Sequence, residues 1–275
     1  MRRPRPANTP IDARRIRQWT DEFGGYRHSV SQTSIESWLA QFDAADRDLA
    51  ARVLDAVDFF KPERITASYR SALRSLPGWN ANPRNRTGRW CFVPFSGSAG
   101  TSGDAMLYNF RLANNLDGRD SDGLFIHRSE LVTQKLTADD TVVFLDDLTA
   151  TGDQVCKVWG EQFSELVAGA GKVYLVVVVA GKGARQQIKE KTEIRLVPGH
   201  QLELKDSLFG DHCTCFTAAE KTRLLRYSEI ADDRKPKGYG DCGYLLVFQH
   251  RCPNNSVPIL HENHAHWLGL FLRHD

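Results

Sequence analysis

Apolar residues recur along the chain with two different periods, and the change from one to the other divides it. Ile16, Trp19 and Phe23 fall on one side of a helix predicted over residues 11–23. Ser34 reads as the N-cap of a second helix, with Ser37 in place of an acid or amide at the capping-box position, and Ile35, Trp38, Leu39 and Phe42 share its apolar face. Leu49, Val53, Leu54, Val57 and Phe60 extend the helical spacing over 46–60, and Pro62 stops it. A further helix over 65–76 ends at Pro77-Gly78. From Trp90 the period changes to short unbroken apolar runs, at 91–95, 142–145, 172–179 and 193–197, with a shorter one at 124–127. Helical spacing returns between them. Runs of this kind suit strands covered on both faces, and their alternation with helices predicts an α/β fold with a doubly wound, mainly parallel sheet. After residue 200 the alternation gives way to turn-rich sequence with one predicted strand at 244–248. The expected organisation is a basic arm (1–17), a helical N-terminal layer (18–89), an α/β core (90–199) and a C-terminal hood or cap (200–275).

Chemistry attaches to the run at 142–145. Two adjacent carboxylates, Asp146 and Asp147, end it; Leu148, Thr149, Ala150, Thr151 and Gly152 follow; Asp153 and Gln154 open a helix carried by Val155, Val158, Trp159, Phe163 and Leu166. A small-residue loop at a helix start lets backbone N–H groups surround a phosphate, and the helix dipole favours the anion. Carboxylates do not suit a phosphate; they suit sugar hydroxyls or a divalent cation. A ligand with a phosphate at one end and a vicinal diol beside it, such as a ribose 5-phosphate, fits both halves. Its place is beyond the carboxyl end of a parallel strand, where open α/β sheets bind ligands.

The stretch resembles the phosphoribosyl-diphosphate (PRPP) signature of type I phosphoribosyltransferases: four apolar residues, two acids, a few small residues, then Thr-Gly. It departs from that pattern at Thr149, where an aliphatic residue is usual, and at Gln154, where a small or hydroxyl residue is usual. The resemblance implies a type I phosphoribosyltransferase-like fold and an activity at ribose C1. It implies that Asp146 and Asp147 hold the ribose hydroxyls, that Leu148 to Gln154 bind the 5-phosphate, and that Mg2+ accompanies PRPP. In such enzymes a loop after an earlier strand grips the diphosphate, and Ser96, Gly97, Ser98 and Ala99 are the candidates here. A flexible loop with basic residues closes over the reaction, and Lys135 is its catalytic candidate. The tail does not resemble the hood of the metabolic enzymes. Together, the D-D-L-T-A-T-G motif, G-Y-G-D-C-G and P-N-N-S-V-P-I resemble the phosphoribosyltransferase-like proteins of bacterial anti-phage conflict systems, some of them encoded beside retrons. That resemblance implies a defence effector with partner proteins.

Other features narrow the classes. The 275 residues are 41% hydrophobic, enough for a substantial core, and no apolar run reaches membrane-spanning length. The N-terminal arginines are not followed by an apolar segment, so no secretory signal is read, and six cysteines without framework spacing point to a reduced, cytoplasmic protein. A net charge of +2 makes no case for nucleic-acid binding by the whole chain. Residues 1–17, however, hold six arginines and one acid, with the first ten residues expected disordered or extended, either as a solvated arm or as a contact to nucleic acid or an acidic protein. Cys213, Cys215, His261, His264 and His266 are zinc-ligating types, but without paired C-x-x-C units zinc is not expected. Asn254 and Asn255 either face a base or acceptor, or form an Asx-turn. Association into homo-oligomers is left open. The rival to an enzyme is a protein without catalytic activity that senses a nucleotide or accompanies nucleic acid.

Overall fold

The computed structural model describes residues 1–95 and 102–273. In chain order its main elements are α1 (Ala13–Phe23), α2 (Gln32–Ala40), α3 (Arg47–Ala56), β1 (Asp58–Phe60), α4 (Pro62–Ser75), β2 (Trp90–Pro94), α5 (Ser102–Ala113), α6 (Arg128–Leu131), β3 (Thr141–Thr149), α7 (Asp153–Val158), β4 (Lys172–Ala180), α8 (Lys182–Lys191), β5 (Arg195–Gln201), α9 (Ala218–Ala231), β6 (Leu246–Phe248), β7 (Asn263–His264) and β8 (Trp267–Leu268). They group into two compact units. One is Met1–Pro62 with Glu203–Asp275, the other Glu63–Leu202.

The 63–202 unit is a parallel sheet in the order β2-β3-β4-β5. A parallel bridge between Phe92 and Phe125 adds one more pairing on the outer side of β2. The chain therefore steps outward after β2, returns across it to β3, and then advances the other way. That reversal is the switch point of a doubly wound sheet, between β2 and β3. Tyr69 of α4 and Phe110 of α5 meet edge to face, with Phe110 against Phe92 at 5.1 Å on one face of the sheet. On the other face Cys91, Val93, Val142, Phe144 and Leu175 pack with Val155 of α7 and Ala184 and Ile188 of α8. Burial on both faces accounts for the unbroken apolar runs.

Three local expectations change here. β3 does not end at Leu145: it pairs with β4 as far as Thr149 opposite Ala180, so both acids lie within the strand. β5 runs past the apolar run at 193–197, through Pro198 and Gly199. Pro198 is tolerated because β5 is an edge strand of this sheet. Gly199 is required by close approach, since a Cβ there would stand 2.4 Å from the Cβ of Ser68. Residues 124–127 contribute only the bridge at Phe125. Next to it His127 caps α6, its ring accepting from the Ser129 N–H and its own N–H donating to Glu130, and this local cap ends the extended run.

The other unit is built from both ends of the chain. Trp19, Phe23, Trp38, Phe42, Val53 and Phe59 share one core with Leu224, Tyr227, Val247, Ile259, Trp267 and Phe271. Residues 203–275 therefore pack with the N-terminal helices α1–α3, whereas α4, expected in the helical layer, groups with the sheet. The helix expected to reach Phe60 ends at Ala56. β1 follows and pairs in parallel with β6, Phe59 opposite Val247 and Phe60 opposite Phe248. α2 starts earlier than expected: Ser31 is the N-cap and Ser34 the reciprocal partner, their hydroxyls accepting each other's backbone N–H at 3.2 and 2.8 Å.

One arginine of the arm, Arg15, is not solvated. Asp55 gathers it, accepting from the Arg5 N–H at 3.2 Å, the Arg15 guanidinium at 2.7 Å and the Trp19 indole at 3.0 Å. Arg15 is completely buried and lies over the Trp19 ring. An arginine in that position needs its carboxylate, and the pairing orders the preceding residues.

Candidate functional site

β3 carries the acidic pair to the carboxyl edge of the sheet, beside the switch point. Asp146 is buried and Asp147 half-buried. Successive strand residues alternate, so Asp147 takes the side of Val143 and Leu145, and Asp146 that of Val142 and Phe144. The Asp147 N–H donates to the Asp146 carboxylate at 2.9 Å. Beneath the pair the Tyr69 hydroxyl, fully buried, donates to the main-chain carbonyl of Asp146 at 3.0 Å. Burial pushes the phenol's pKa well above its ordinary value, and Asp147 and Asp146 push it further, so it remains a donor.

The small-residue segment is tighter than a free loop. The Thr149 carbonyl accepts from Gly181 N–H at 2.8 Å, and only Ala150 to Gly152 separate strand from helix. Gly152 has φ +92, and a Cβ there would meet Ala184 of α8 at 3.3 Å. Glycine thus serves the left-handed turn and the packing of the loop on α8 together. Thr151 donates to the Asp153 carboxylate at 2.7 Å, and Gln187 donates to its other oxygen at 2.6 Å. These bonds, from Gln187 first and Thr151 second, hold the Asp153 pKa below its usual value. Asp153 and Gln154 are exposed on the first turn of α7, which continues into a π-helical turn at Trp159–Phe163.

Asp146 to Gln154 are therefore brought together as one continuous edge, and Lys135 is not brought to it. Lys135 is exposed, with φ +39, and its carbonyl accepts from Arg89, the residue before β2, at 2.9 Å. It lies at the amino end of β3, about 17 Å from the acids for five strand residues of rise. Ser96, Gly97, Ser98 and Ala99 lie outside the described residues. Asn254 and Asn255 belong to the unit made from the chain ends. Asn255 is buried, and its amide donates to the Tyr239 carbonyl at 3.0 Å. The Asn254 carbonyl accepts from the Tyr239 N–H at 2.7 Å, so this pair ties one loop to another. All six cysteines are free thiols, and no cluster of three or more metal-ligating side chains occurs among the described residues. No described helix is long and apolar enough to cross a membrane.

A family model described as PRTase-CE matches residues 35–273, most of the chain. The chain belongs to the PRTase-CE family. Comparison with curated proteins finds no match. Among solved structures, hypoxanthine phosphoribosyltransferase from Trypanosoma cruzi, in complex with its product IMP, is 12% identical, with 51% of this chain and 71% of that chain covered at a TM-score of 0.29. UMP synthase from Leishmania donovani is 18% identical, with 60% of this chain covered at a TM-score of 0.32; the match spans 32% of the synthase. The assignment to PRTase-CE rests on the family match alone. In this PRTase-CE chain, sequence reasoning missed Tyr69. It lies within the helix predicted over 65–76, and the one available signal is a phenol, which needs a partner when buried.

Proposed function

We propose that this phosphoribosyltransferase-like chain binds PRPP, or a related ribose-phosphate nucleotide, on residues 146–154 and catalyses transfer at ribose C1. The observation that carries the reading is the carboxylate pair at the end of β3, braced by Tyr69 and followed at once by the turn at Gly152. Asp146 and Asp147 accept hydrogen bonds from the ribose hydroxyls and orient the ring. Backbone N–H groups of the Ala150–Gly152 turn and the start of α7 take the 5-phosphate. Two carboxylates, with no third ligand beside them among the described residues, fit a Mg2+ ion held mainly by phosphate oxygens. Bound there, Mg2+ would neutralise charge on the diphosphate. The chain's own contribution is positioning and electrostatic stabilisation as the C1–diphosphate bond breaks, and no protein nucleophile is needed.

A second reading is a nucleotide sensor that binds without turnover. It is favoured by the carboxylate of Asp153 inside the segment meant for phosphate, and by the distance of Lys135 from the acids. Calorimetry with PRPP and Mg2+, wild type against Asp146→Asn/Asp147→Asn, tests the site, and diphosphate release separates enzyme from sensor. Binding lost in the variant supports the site; equal affinity in both proteins overturns it. A role as an anti-phage effector is proposed on the resemblance alone, and phage plating on cells carrying the wild-type or variant gene tests it.

A further inference from the structure

The unit built from the chain ends contains a cleft of about 830 Å³ that no step above uses. Arg3, Arg5, Arg52 and Lys205 line it, and the one carboxylate in its wall, Asp206, is engaged by the Met1 ammonium at 2.7 Å. The four cations fall into two kinds. Arg5 and Arg52 are held in place: Arg5 stands 3.8 Å from Asp55, while Arg52 is buried, pairs with Glu220 and donates to the Cys215 carbonyl at 2.9 Å. Arg52 is also set over the Phe216 ring. Arg3 and Lys205 are exposed and enter no ion pair among the described residues. The wall thus has two arginines held by carboxylates and two uncommitted charges. Pro4, Pro6 and Cys215 add apolar surface.

The exposed Arg3 guanidinium and Lys205 ammonium suit the oxygens of a phosphate, and a wall fixed beforehand by the Arg5 and Arg52 pairings lowers the entropy lost on binding. The volume lies within the range of roughly 300–1,000 Å³ usual for small-molecule sites. We propose that this cleft is a second binding site, for a small phosphorylated ligand of nucleotide size, made entirely by the chain-end unit and independent of residues 146–154. A nucleic-acid strand is the other polyanion that arginines attract. The bounded volume and the internal pairing of Arg5 and Arg52 favour the small ligand.

The test is calorimetric titration of the full-length Asp146→Asn/Asp147→Asn protein, in which the ribose-phosphate site is disabled, with ADP and inorganic pyrophosphate as probes. At least one probe binds with one-to-one stoichiometry. Adding Arg3→Glu with Lys205→Glu weakens it by about tenfold or more, and raised salt weakens it further. Both side chains are exposed, so melting curves of the variants match the parent. The milder Arg3→Gln with Lys205→Gln pair gives an intermediate loss. Absence of binding by both probes overturns the proposal, as does affinity unchanged by the charge reversal. Tighter binding of a single-stranded oligonucleotide of about ten nucleotides, sensitive to the same substitutions, replaces the small ligand with nucleic acid.

Discussion

The two ends of β3 carry the same residue type in different settings. At the amino end the Asp140 carboxylate is consumed by the fold. It accepts from the Arg89 N–H at 2.8 Å, the Arg89 guanidinium at 2.7 Å, and the Thr137 N–H and hydroxyl at 2.8 and 3.2 Å. The corner is so close that a Cβ on Gly88, whose φ is +64, would overlap the Asp139 carbonyl. At the carboxyl end, Tyr69 grips the main-chain carbonyl of Asp146 and not its carboxylate. The Asp146 carboxylate also accepts from the Asp147 N–H at 2.9 Å, while Tyr69 holds the main chain of the strand.

Substitutions should separate the two ends. Asp140→Ala removes five hydrogen bonds from a buried carboxylate and should cost about 2–3 kcal/mol in denaturant unfolding, discounted because Arg89 is half exposed, while PRPP affinity is unchanged. The same residue sets a pH signature. Arg89's hydrogen bond, more than any other influence, holds Asp140 well below the usual carboxylate range. Its contribution is complete above about pH 4 and is lost as pH falls further. Acid titration of stability should therefore be shallower in Asp140→Ala than in wild type.

Gly152→Ala forces a side chain into the left-handed region against Ala184 and should cost about 2 kcal/mol. It belongs to both ends of the comparison: a loss of ligand binding without a loss of stability would show that the turn serves the ligand alone. Asp146→Asn/Asp147→Asn should weaken PRPP binding by about tenfold or more, about 1.4 kcal/mol, with the unfolding midpoint unmoved. An equal fall in stability would return these acids to the class of Asp140. Tyr69→Phe should have the smallest effect, about 1 kcal/mol in stability with a modest rise in KM or Kd, because a single neutral hydrogen bond is lost.

The parts that were legible in the sequence are those whose cause is local. β3 and β4 announce themselves because burial on both faces demands unbroken apolar runs, and the acids and Gly152 follow immediately in the chain. β1 was hidden because Val57 and Phe60 continue the helical spacing of α3, and the strand exists only through β6, about two thirds of the chain away. Arg15 read as part of a solvated arm because its partner, Asp55, is 40 residues distant. Tyr69 and Asp146 are separated by 77 residues. A periodicity argument sees an aromatic on a helix face; only the fold shows that its hydroxyl reaches a strand end. Lys135 was misplaced for a related reason, since a loop that precedes a strand by a few residues lies at that strand's amino end, away from ligands bound beyond its carboxyl end.

The sharing of one core by residues 1–62 and 203–275 has a consequence for how the molecule is made. A chain emerging from the ribosome delivers Trp19, Trp38 and Phe59 before the sheet unit, and their partners Tyr227, Trp267 and Phe271 after it. The sheet unit lies between them in the sequence and can begin to fold while synthesis continues. The earlier segment keeps its aromatic faces uncovered until the later one is made. During that interval it depends on protection from aggregation.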